Sequence, residues 1–151
     1  MVALAVAVTI ATLPACRPAW LAGEAALQGA TGGLAGELHV TNIGARACTL
    51  PERPTVRITW SGTTLSVRRV QLAATPVPLR VLRRGATARA TLQWRNWCGE
   101  LPSPFRPRLL VTLGAVRGSL RVEVGDPVTA PRCDSRYEPS TLAVGRFVSR
   151  R

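Results

Sequence analysis

The stretch TVRITWSG, residues 55–62, alternates apolar and polar side chains without a break: Val56, Ile58 and Trp60 point one way, and Thr55, Arg57 and Thr59 the other. A period of two sets one face against a core and the other in water, the pattern of a half-buried β-strand. Ser61 and Gly62 then supply turn chemistry. The same rhythm recurs on both sides. In residues 36–42, Leu38 and Val40 oppose Glu37, His39 and Thr41, and the chain turns at Asn42, Ile43 and Gly44. In residues 87–98, entered through a turn at Arg84, Gly85 and Ala86, Ala88, Ala90, Leu92 and Trp94 oppose Thr87, Arg89, Thr91, Gln93 and Arg95, so Trp94 is expected in the core.

Weaker pieces extend the series. Residues 65–73 are rich in β-branched and apolar types around Arg68 and Arg69, and residues 77–82 follow a break marked by Pro76 and Pro78. A proline lacks the N–H that a central strand needs, so this piece suits a sheet edge. Residues 108–114 and 119–124 read as a hairpin across 115–118, and residues 142–148 form a last apolar run. Neither a helical period, an internal repeat nor a low-complexity tract competes. Short strands separated by turn signals predict an all-β, immunoglobulin-like antiparallel β-sandwich.

With 151 residues and 46% apolar content, the chain can fill one hydrophobic core but hardly two. The expected organisation is a signal-like or membrane-proximal leader over residues 1–15 and a single β-sandwich domain over 16–151. The leader is apolar and uncharged from Val2 to Leu13, too short to span a bilayer but the right length for the apolar core of a signal peptide, although no basic segment precedes it. It implies export, to the outside or to the extracytoplasmic face of the envelope, with a membrane tether at the N-terminus as one outcome.

The formal charge of +12 invites a nucleic-acid reading. Against it, all twenty basic residues are arginines, as the codon usage of a GC-rich genome produces, and the pairs Arg68–Arg69, Arg83–Arg84 and Arg150–Arg151 are dispersed. A nucleic-acid reader clusters its cations and interleaves aromatics for stacking. Nucleic acid is therefore not the expected partner.

Four cysteines, Cys16, Cys48, Cys98 and Cys133, follow an export-like leader, and an even count there favours two disulfides. No C-x-x-C spacing occurs and His39 is the only histidine, so a zinc site is not expected. Cys16 has a competing reading, because Leu13, Pro14, Ala15 and Cys16 fit the Leu-x-Ala-Cys pattern at which bacterial lipoproteins are cleaved and acylated. Lipidation of Cys16 would leave one cysteine over. Two pairings of the four compete. Cys48, Trp60 and Cys98 approach the spacing that joins the two sheets of antibody domains, but the tyrosine expected two residues before the second cysteine is Asn96. Joining Cys16 to Cys48 and Cys98 to Cys133 closes two loops of similar length, each adding about 3 to 4 kcal/mol by chain entropy, and is preferred.

The order of Cys16, Leu21, Gly32, Gly33, the run from Val40 through Thr41, Asn42, Ile43 and Gly44, and then Ala47, Cys48, Thr49 and Leu50 resembles an exported bacterial family called domain of unknown function 4232. Its Gly-x-x-Ala strand and Trp-x-Asn-x-Cys-Gly motif are matched by Gly85, Ala88, Trp94, Asn96, Cys98 and Gly99, and its late Pro-x-Cys by Pro131 and Cys133. The resemblance covers nearly all of the chain after Ala15. It implies a secreted or cell-envelope β-sandwich of the type common in actinobacteria, with the four cysteines at structural positions and no assigned activity. Pro51, Glu52, Arg53 and Pro54 depart from the pattern, where a glycine and an aromatic usually precede the proline.

Each residue type with chemical potential has a plainer explanation. His39 lies on the wet face of a strand with no second histidine near it, which suits a surface residue. A triad drawn from His39, Asp126 or Asp134 and a serine has no Gly-x-Ser-x-Gly elbow to support it. Glu100, Glu123, Asp126, Asp134 and Glu138 form no carboxylate pair at a useful repeat, so glycosidase chemistry is unsupported. Trp94 and Trp97, three apart in one strand, should face opposite ways, with Trp97 packing near Cys98. No catalytic residue, cofactor or metal is expected. The expected function is a non-catalytic binding or structural module whose partner is an envelope protein or an anionic wall polymer. The alternatives are an enzyme with an unrecognised site, or a Cys16-acylated lipoprotein binding anionic envelope polymers.

Overall fold

The computed structural model describes residues 12–73 and 77–150. Among them the chain forms twelve strands, one turn of 3-10 helix at Pro18–Trp20 and no α-helix. The strands are β1 (Leu21–Ala30), β2 (Gly33–Asn42), β3 (Cys48–Thr49), β4 (Thr55–Trp60), β5 (Thr63–Thr64), β6 (Arg68–Gln71), β7 (Val81–Leu82), β8 (Thr87–Arg95), β9 (Arg108–Thr112), β10 (Leu120–Glu123), β11 (Thr141–Val144) and β12 (Val148–Ser149). The larger sheet runs β1-β2-β8-β11-β6, with β12 also on β8; the smaller runs β10-β9-β4-β5; β3 and β7 form a ribbon. Every ladder is antiparallel except β11 with β6.

Alternation does the building. On β8 the buried set is Ala88, Ala90, Leu92 and Trp94; on β4 it is Val56 and Ile58; on β9, Leu109 and Val111. These faces meet Leu38, Val40, Leu142 and Phe147 in one hydrophobic cluster shared by both sheets. Phe105 stands between two tryptophans, its ring centroid 5.5 Å from Trp60 and 6.3 Å from Trp94, both edge-on. Edge-on packing of this kind adds to what burial alone contributes. The β4–β5 hairpin turns through Ser61 and Gly62 with φ of 49° and 78°, the left-handed pair of a tight two-residue loop.

Several expectations need correcting. The strand drawn over residues 87–98 ends at Arg95, because Asn96 takes φ of 58° and throws the chain off the sheet. Trp97 therefore does not face away from Trp94; the two rings lie 5.8 Å apart in an edge-on pair. Trp60 shares the parity of Val56 and Ile58 but sits at the sheet's end, where its ring is only half-buried. The run 65–73 pairs only over Arg68–Gln71, 77–82 only over Val81–Leu82, and 142–148 divides into β11 and β12. The stretch Leu21–Ala30 is a strand that period-two reading passed over. Between its inward Leu21 and Leu27 stand the small Gly23 and Ala25, and β10 presses on the first of them: a Cβ on Gly23 would collide with the side chain of Val122. Residues 1–11 of the expected leader lie outside the described residues. Pro14 and Ala15 are held against β3, with Thr49 N–H donating to Pro14 O at 2.8 Å.

Candidate functional site

The four cysteines form the bridges Cys16–Cys48 and Cys98–Cys133. They differ in setting: Cys16 and Cys48 are 1% and 0% exposed, whereas Cys98 and Cys133 lie at the surface. With its sulfur in the first bridge, Cys16 has no thiol left to acylate, so bridge and lipid are mutually exclusive. Each bridge adjoins an asparagine hub. Near the first, Asn42 donates from Nδ2 to Arg46 O and Leu82 O and accepts from Gly44 N–H. Near the second, Asn96 donates to Ser135 O and Glu138 O and accepts from the N–H groups of Asp134 and Ser135. The Trp-x-Asn-x-Cys-Gly motif thus has a structural meaning: Trp94 Nε1 donates to Ser140 Oγ in the core, Asn96 ties down the 134–138 loop, Cys98 staples it, and Gly99 lies where a Cβ would stand 2.7 Å from the Trp97 ring. The unusual 51–54 turn is also ordered, since Arg53 donates from Nε to Val144 O and from Nη2 to Leu72 O.

His39 stands on the outer face of β2, where Nε2 meets Glu37 Oε2 at 2.9 Å, and Arg89 Nη1 from β8 reaches Glu37 Oε1 at 2.7 Å. Hydrogen bonds from His39 and then Arg89 hold the Glu37 carboxyl below the usual carboxylate range, against a smaller opposing effect of burial. Neither Asp126 nor Asp134 pairs with His39, so the nominal triad is not assembled. The fold does gather acids that linear spacing kept apart: Glu24, Glu37, Glu123 and Asp126 all line one groove beside β1 and β2. They do not converge on a common point, and among the described residues no group of three His, Cys, Asp or Glu could hold a metal ion.

The arginines of the smaller sheet make the more distinctive surface. Ladder register brings Arg57 of β4 and Arg121 of β10 to either side of Leu110 on β9, and places Arg108 between Thr59 and Glu123. All of these side chains rise from the outward face, opposite the buried Val56, Ile58, Leu109, Val111 and Val122. Arg106, Arg108 and Arg121 line a hollow of ≈ 420 Å³ that Trp60, Thr64 and the Ser61–Gly62 turn complete, and its one carboxylate, Glu123, pairs with Arg108 at 2.9 Å. The remaining guanidiniums carry fixed positive charge and planar donor forks, chemistry that recognises phosphate or carboxylate. No sequence signal singled these residues out, because β5 to β8 intervene between Arg57 and Arg108 and only sheet register brings Arg57, Arg108 and Arg121 onto one face. The dispersed pairs Arg83–Arg84 and Arg68–Arg69 lie elsewhere: the first sits on the turn before β8, and the second begins the edge strand β6.

A family model described as "Domain of unknown function (DUF4232)" matches residues 16–147, the family that the motif order resembles. No curated protein and no solved structure matches the chain.

Proposed function

The chain belongs to the DUF4232 family, and from that premise we propose that it is an exported, non-catalytic binding module of the cell envelope. In this reading it is built as an immunoglobulin-like sandwich and holds an anionic wall polymer on the arginine face of its smaller sheet. Two structural disulfides suit an oxidising, extracytoplasmic environment and would be rare in a reducing cytosol. The observation that carries the polymer reading is the hollow formed by Arg106, Arg108 and Arg121 beside Trp60, where three guanidiniums face a single carboxylate. An open, outward sheet face offers repeated charge to a repeating polyanion rather than a closed pocket to one small molecule. The half-buried Trp60 adds an apolar surface at its edge.

Cosedimentation with isolated wall material tests this. At low salt the protein is expected in the pellet. At about 1 M salt, where charges are screened beyond about 3 Å, it is expected in the supernatant. A variant carrying R106Q, R108Q and R121Q should weaken binding by about tenfold or more at low salt, as loss of several charge-assisted contacts does. Failure of the native protein to pellet at low salt, or equal pelleting at both salts, would reject an electrostatic polymer site.

A further inference from the structure

Strand β6 closes one side of the larger sheet and pairs with β11 alone. Arg68 N–H donates to Ser140 O and Leu72 N–H to Val144 O, at 2.8 and 3.1 Å. In a parallel ladder the residues facing the neighbour alternate with residues whose N–H and C=O turn away. Arg68, Val70 and Leu72 thus serve β11, and Arg69 and Gln71 point their peptide groups to the open side. No backbone group among the described residues meets them there. Across from this edge, β5 covers only Thr59 and Trp60 of β4 and Leu65 N–H takes Ile58 O, so the Val56 end of that strand is uncovered as well. Two adjoining hollows of ≈ 300 and ≈ 350 Å³ lie between the two edges, sharing Val56 and Arg69 and floored by Leu142 and Val144.

An open edge is a template for another strand, and charge decides which strand it accepts. Arg57, Arg68 and Arg69 stand exposed on the rim, enter no ion pair among the described residues, and no carboxylate lines either hollow. Because Arg68 and Arg69 are adjacent on a strand, one guanidinium lies on each face of the edge. Edge-to-edge pairing of two copies of this chain through β6 would set arginines against arginines, which disfavours self-pairing at this edge. An extended acidic chain meets a guanidinium whichever way its carboxylates point. We propose that the β6 edge docks an extended, acidic segment of another protein as an added strand, using the peptide groups of Arg69 and Gln71 for the ladder and Arg57, Arg68 and Arg69 for selection. This site meets the arginine face of the smaller sheet at Arg57 but uses none of Arg106, Arg108 and Arg121, and the two are tested by different probes.

The probe is a labelled heptapeptide alternating Glu or Asp with Val, compared with its counterpart carrying Lys in place of the acids. Fluorescence anisotropy is expected to show binding of the acidic peptide alone, weakened by about tenfold or more in the R68Q/R69Q variant. In the native protein, saturating peptide is expected to slow amide exchange at Arg69 and Gln71 by about tenfold or more, a readout that needs no variant to fold. Absence of binding at low salt overturns the proposal. So does binding that leaves those two amides unprotected, or that survives R68Q/R69Q. Protection of the same amides by wall polymer in place of peptide would assign the edge to the polymer and overturn it too.

Discussion

At Asn96 the backbone enters the left-handed region that asparagine tolerates better than most residues, and the same side chain fills four backbone hydrogen bonds at 2.9 Å to a loop about forty residues later. Both properties are needed, and they can be separated. Asn96→Ala removes the bonds and strains the backbone; Asn96→Gly removes only the bonds. Chemical denaturation is expected to place Asn96→Ala about 2 to 4 kcal/mol below the native protein, with Asn96→Gly intermediate. Equal stability of Asn96→Ala and the native chain would show the hub to be redundant with the neighbouring disulfide. The motif containing Asn96 was legible in the sequence as an order of residues. What it does was not, because its partners between Asp134 and Glu138 are remote in sequence and offer only peptide groups, which leave no compositional mark.

Among the elements, legibility followed side-chain volume. β4 and β8 alternate Val, Ile, Ala, Leu and Trp with polar residues and were readable to within a few residues, whereas β1, whose sequence is LAGEAALQGA, sets Gly23 inward and Ala22 and Ala26 outward and so blurs the same alternation. Gly and Ala have little strand preference of their own, and Gly23 is required by the close approach of β10. The two covalent staples join elements of unlike exposure, and this has a chemical consequence. Thiol attack on a disulfide needs access to sulfur. Cys98–Cys133 lies at the surface, while Cys16–Cys48 is enclosed where the chain enters the fold at β3. Limited reduction under native conditions, followed by alkylation and peptide mass analysis, is expected to label Cys98 and Cys133 first and to leave Cys16 and Cys48 bridged until the domain unfolds. Simultaneous labelling would mean that opening of the β3 region is as frequent as access to the surface bridge.

Over the whole molecule the charges are sorted in a way that the net +12 conceals. Four of the eight acids line the groove beside β1 and β2, one of them, Glu123, shared with the arginine hollow, while the arginines of β4, β6, β9 and β10 cover the smaller sheet and the opposite edge. That arrangement was beyond sequence reading, since it follows from which strands neighbour one another rather than from any local run. It also sets the sign of the salt response. Among the described residues attraction is confined to a few partly exposed pairs, such as Arg108–Glu123 and Glu37 with Arg89, each contributing about 0 to 1 kcal/mol. Repulsion is distributed over the remaining arginines and acts against the compact state. Salt weakens both, and with twenty arginines against eight acids the repulsion is the larger sum. Raising sodium chloride from about 20 mM to about 0.5 M is therefore expected to raise the Tm, by about 2 to 4 °C for each kcal/mol of repulsion relieved. A fall in Tm over that range would mean that the ion pairs outweigh the surplus charge, and that the arginine face is neutralised within the fold rather than left free for an anionic partner.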